Sequence, residues 1–167
     1  MNAPTISNKD KLRLSYEFNA PKELVFNAFS TAEALNEWWG PVETKNSAIS
    51  LDFRPGGVFH FSMKFGEHVN YGRFLFKTVN AHDLLEFTNA FADEKGNPIP
   101  APFDVKLPVE IFYSLRFTET GGKTSIELTG EPFDATQEEI DGFNSIAEDM
   151  QRGFGATFSK LTDFLKK

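Results

Sequence analysis

A chain of 167 residues that is 40% hydrophobic and 25% charged has the size and composition of one globular domain with a real core, which excludes a disordered polymer. Its formal net charge of -7 opposes binding to nucleic-acid phosphates and to anionic membrane surfaces. The lack of cysteine excludes disulfides, thiolate nucleophiles and cysteine-ligated metals.

The first ten residues, from Met1 to Asp10, lack the apolar run of a secretory signal. No later stretch is long and apolar enough to span a bilayer. The expectation is a loose lead over residues 1–10, then a single domain over residues 11–167, in the cytoplasm. From Leu12 to Phe18 the chain alternates, with Leu12, Leu14, Tyr16 and Phe18 on one face, the pattern of a half-buried strand. Ala20-Pro21 then opens a short helix, because proline loses nothing at a first turn whose N–H has no partner. Leu24, Val25, Ala28 and Phe29 form its apolar side. A second short helix is predicted from the N-cap Thr31 to Trp38-Trp39, where Gly40-Pro41 stops it.

Strand signals follow in series. Ile49, Leu51 and Phe53 alternate with polar neighbours, and after the turn Arg54-Pro55-Gly56-Gly57 so do Phe59, Phe61, Met63 and Phe65. Residues 69–79 and 84–91 read as the next two strands, and 93–102 as a loop by its glycine and proline content. Residues 107–117 and 123–129 complete the set across Gly121-Gly122. Short connections make the neighbours antiparallel, since a parallel return needs a long crossover. From Thr136 the period changes to three and four: Ile140, Phe143, Ala147, Met150, Phe154, Phe158, Leu161 and Leu165 describe one long amphipathic helix. Thr136 with Glu139 is a capping-box pair, and Lys166-Lys167 complements the dipole at the other end.

Ala20-Pro21-Lys22-Glu23-Leu24-Val25-Phe26, Trp38-Trp39-Gly40-Pro41, Asp52-Phe53-Arg54-Pro55-Gly56-Gly57, Leu84-Leu85-Glu86-Phe87-Thr88-Asn89 and Gly121-Gly122-Lys123-Thr124 closely resemble the SRPBCC (START-like) superfamily. Within it, the chain is most similar to the family named after the C-terminal domain of the activator of heat-shock protein 90 ATPase. The resemblance implies an α+β helix-grip fold, a curved, mostly antiparallel seven-stranded sheet wrapped around the C-terminal helix and enclosing a cavity. The chain departs from it at Phe65-Gly66-Glu67-His68, where many relatives have a Pro-Asp-Gly turn, and at Phe154, where a Trp after Gly is frequent.

No nucleophile elbow, phosphate loop or zinc-helix motif is present, and His60, His68 and His82 lack metal-ligand spacing. His60 falls on the outer face of its strand. Gly153-Phe154-Gly155 reads as a place where backbone or ligand approaches the helix closely, not as a dinucleotide fingerprint. Asn89 shares a face with Leu85, Phe87 and Phe91, and an amide in an apolar row must find partners in protein, water or ligand. Tyr71 and Tyr113 are further polar handles. The first-ranked function is a binder of a small apolar or amphipathic molecule, lined by Phe61, Met63, Phe87, Asn89, Tyr113, Met150, Phe154 and Phe158. A chaperone-linked interaction module ranks second and a cyclase-like or hydrolase-like enzyme third. No cofactor or metal is implied, and monomer and homodimer both stay open.

Overall fold

A computed structural model describes residues 12–41, 43–102 and 104–166. The expected lead over residues 1–10 and the terminal Lys167 lie outside them. Strand β1 (Leu12–Phe18) leads into helices α1 (Lys22–Asn27) and α2 (Ala32–Trp38). Strands β2 (Lys45–Leu51), β3 (Val58–Phe65), β4 (His68–Asn80), β5 (Leu84–Ala92), β6 (Pro98–Ile99), β7 (Glu110–Thr120) and β8 (Lys123–Phe133) precede the long helix α3 (Gln137–Leu165). Seven strands run in the order β1-β8-β7-β5-β4-β3-β2, every pair antiparallel. The eighth, β6, is two residues long and pairs with β5 inside the stretch expected to be loop. This is the helix-grip arrangement.

The apolar alternation decides which face curves inward. Leu85 and Phe87 of β5, Phe74 and Phe76 of β4, Leu115 and Phe117 of β7 and Phe59 and Phe61 of β3 are all buried in one core. The turn expected at Arg54-Pro55-Gly56-Gly57 is hooked onto β4 by hydrogen bonds from the Gly56 amide to the Phe76 carbonyl, 2.8 Å, and back from the Phe76 amide to the Gly57 carbonyl, 2.9 Å. Gly56 takes φ +83°, a conformation that side chains disfavour.

Two expectations of face are corrected. A bulge between Ala48 and Ser50 turns Ile49 out to 52% exposure, and Asn46 and Ala48 face inward instead. In the first helix Leu24 is exposed, whereas Phe26 is buried edge-on to Phe53 and Phe117. The six-residue helix ends before Ala28, so its buried set no longer follows a full helical stripe.

Thr136 and Glu139 form the capping box, each side chain bonded to the other's backbone amide. Along α3, Phe158 packs edge-on against Tyr16 and Phe18 of β1 and lies 6.3 Å from the Trp38 ring, centroid to centroid. Gln151 donates to the Arg13 carbonyl, and Thr157 to the Gly40 carbonyl at 3.0 Å. The helix is therefore held over β1 and α2. Among the described residues no helix is long and apolar enough to cross a membrane.

This cover is essential to the sheet. A chain ended at Ala135 exposes the concave aromatic face and is expected to aggregate without a cooperative unfolding transition; cooperative melting of that fragment would refute the dependence. Phe158→Ala in the full chain should cost about 3 to 5 kcal/mol, read from urea denaturation.

Candidate functional site

Because α3 sits toward β1 and α2, it leaves part of the concave sheet uncovered, and an open pocket of about 390 Å³ lies there. That volume is within the roughly 300 to 1,000 Å³ of small-molecule sites. Inward residues two apart on each strand make the floor: Phe61, Met63 and Phe65 on β3, Asn70 and Gly72 on β4, Asn89 and Phe91 on β5, Ile111 and Tyr113 on β7. Ile146, Met150, Gly153, Phe154 and Thr157 of α3 make the opposite wall.

Two glycines hollow the floor. A Cβ on Gly72 would lie 2.7 Å from the Phe61 ring, and one on Gly130 would lie 2.7 Å from the Tyr113 ring. Each ring lies flat over bare backbone instead of standing up into the space. A third glycine shapes an end wall: a Cβ on Gly142 of α3 would lie 1.9 Å from the Lys106 carbonyl oxygen. The loop before β7 can therefore seat on the helix and present Leu107, Pro108 and Val109 to the pocket. The expected strand from residue 107 begins at Glu110 for the same reason, since these residues pack against the helix instead of joining the ladder.

The opposite end is Trp39-Gly40-Pro41 with Thr44. It is held from two sides. The Asn36 side chain accepts from the Asn46 amide group and the Ala48 backbone, tying α2 to β2. Thr157 and Lys160 of α3 both donate to the Gly40 carbonyl. Burial pulls the Lys160 ammonium below its ordinary range, opposed by the Glu43 carboxylate. Both tryptophans are buried; the Trp38 indole donates to the Ala28 carbonyl, and Trp39 reaches the pocket.

Among the described residues, none lining the pocket carries a charged side chain. Its polar groups are few. The Tyr113 hydroxyl makes no hydrogen bond among the described residues, and burial alone raises its pKa far above the ordinary 10, so it stays a neutral donor. The Asn89 Nδ2 donates to the Arg73 carbonyl at 3.1 Å, which leaves Oδ1 as an acceptor.

Of the eight residues expected to line the site, Phe61, Met63, Asn89, Tyr113, Met150 and Phe154 come together on its walls. Phe87 and Phe158 do not. Phe87 is stacked beneath Phe74 at 4.1 Å between ring centroids, and Phe158 is spent on the junction with Tyr16 and Phe18. Both had the right face and the wrong depth. Sequence reasoning missed Asn70, Ile146 and Thr157; Asn70 shares the parity of Gly72 and Phe74, and Ile146 falls four residues before Met150. Tyr71 is on the convex face beside His60. His60 itself, expected at the surface, is 6% exposed beneath the β5–β6 turn, its Nε2 3.1 Å from the Asp93 carbonyl oxygen. Among the described residues no group of three His, Cys, Asp or Glu side chains converges to hold a metal.

The family model described as activator of Hsp90 ATPase homolog 1-like protein matches residues 19–166. No curated protein gives a significant match. Among solved structures, a protein from Arthrobacter aurescens is similar with a TM-score of 0.78 at 22% identity, covering 95% of this chain and 87% of the other. One from Mycobacterium smegmatis gives 0.76 at 20% identity over 95% and 92%. One from Staphylococcus epidermidis gives 0.76 at 22% over 94% and 90%. At such identities the likeness shows the fold.

The buried phenol makes a pH test. Because the folded-state pKa of Tyr113 is raised, its neutral form favours folding; this contribution is complete below about pH 10, where the unfolded phenol is also neutral, and is lost as pH rises beyond it. The wild-type urea midpoint should fall more steeply between about pH 9 and pH 11.5 than that of Tyr113→Phe. Parallel curves would place the hydroxyl in water.

Proposed function

The chain belongs to the activator of Hsp90 ATPase homolog 1-like family, and on that premise we propose that it binds a small, uncharged, mostly apolar molecule between α3 and the sheet. The observation that supports this most directly is an open pocket of about 390 Å³ lined mostly by aromatic and aliphatic side chains, with no charge among the described residues. Burying an ion there would cost far more than the pocket could return, so the enclosed part of the ligand is neutral. The Tyr113 hydroxyl and the Asn89 Oδ1 are one donor and one acceptor on a mostly apolar floor that also carries the Asn70 amide, the few polar groups that orient a ligand in such sites. Binding is favoured over catalysis because proton transfer at this floor would fall to a phenol that burial keeps neutral well above physiological pH.

The test is a matched pair, 2-acetylnaphthalene and 2-ethylnaphthalene, followed by thermal melting. A ligand at about 100 times its Kd adds about 2.7 kcal/mol, which raises Tm by roughly 5 to 10 °C for a chain of this size. The ketone should bind about two- to tenfold tighter than the hydrocarbon, the worth of one hydrogen bond, and Tyr113→Phe should abolish that preference while keeping the apo Tm. No thermal shift from either compound, together with stimulation of a heat-shock protein 90 ATPase by the ligand-free chain, would move the function to the chaperone-linked reading.

A further inference from the structure

Besides Gly142, helix α3 carries two further interior glycines, Gly153 and Gly155, and among the described residues nothing lies within 4 Å of where a Cβ on either would stand. Of the two partners expected to approach Gly153-Phe154-Gly155, backbone or ligand, no backbone does so among the described residues. Neither residue has the positive φ that would require glycine. A glycine inside a helix forfeits backbone entropy relative to alanine, so two open ones in the helix that walls the pocket call for another reason. The two positions differ in what they face. Ile146, Met150, Gly153 and Thr157 fall four, three and four residues apart, one stripe of the helix, and all four line the pocket. Gly153 is the bare position in that stripe. Gly155 is half a turn away and does not line it.

We infer that Gly153 is a specificity-determining residue of the pocket: its missing side chain opens a groove along α3 that receives the far end of an elongated, uncharged ligand whose near end lies on the Tyr113–Asn89 floor. This rests on the ligand-binding reading proposed above. Side chains on either side of Gly153, Met150 and Thr157, set the groove's length, and Thr157 is already committed to the Gly40 carbonyl, so the groove offers the ligand apolar contact. A ligand short enough to remain on the floor does not use it.

Two neutral ketones separate the cases: 2-acetylnaphthalene, and the longer 6-propionyl-2-(dimethylamino)naphthalene, whose fluorescence reports binding. Gly153→Leu fills the groove and should weaken the longer ketone by about tenfold or more, with less than about threefold change for the shorter one. Gly153→Ala should raise the apo Tm by about 2 to 4 °C through helix propensity and still weaken the longer ketone measurably. Gly155→Ala should give the same gain in Tm with both affinities unchanged. Unaltered affinity of Gly153→Leu for the longer ketone, or equal loss of both ketones, overturns the assignment of the groove while leaving the pocket as the binding site. A wild-type chain that binds neither ketone overturns the ligand-binding reading, and the groove with it.

Discussion

The contact of Phe158 with Tyr16, Phe18 and Trp38 is the constraint on which the rest of the molecule depends. A sheet with this many phenylalanines on one face is insoluble until something covers it, and the long amphipathic helix is the cover. Where that helix is anchored decides which part of the face is closed. Anchored over β1 and α2, it leaves β3, β4, β5 and the near end of β7 facing open space. The pocket is thus the uncovered remainder of a core, and its apolar lining needs no separate explanation.

What keeps that remainder from collapsing is backbone, not side-chain bulk. Phe61 and Tyr113 lie flat because Gly72 and Gly130 present no Cβ, and the loop before β7 is seated at Gly142 at the same level as the helix wall. The two ends meet different elements, one bonded through Asn36 and Thr157 and the other set by the close approach of the Lys106 carbonyl to Gly142. A space framed this way is preorganised, so the proposed ligand would lose little to the ordering cost that flexible sites exact.

Family membership and pocket chemistry speak to different links in the argument. Structures from three genera share this fold at 20 to 22% identity, so the likeness speaks to the architecture. The container is therefore common property. Its contents, an uncharged floor with a neutral phenol and a half-satisfied amide, belong to this chain's own residues. Function has to be argued from them.

Strand and helix periods are local properties, so the order of elements, the inward parity of β3, β5 and β7 and the Thr136–Glu139 cap were legible in the sequence alone. So was Asn89 as an amide in an apolar row. Parity says which face a residue occupies, but not what stands in front of it: Phe87 shares a face with Asn89 and is hidden because Phe74 stacks over it. The burial of His60 depends on a turn from another strand, and the outward Ile49 depends on a bulge that breaks the alternation. Gly153 and Gly155 look alike in sequence. Only the placement of α3 against the sheet gives one of them a pocket and the other nothing, because cavity volume arises between elements and has no signature within any of them.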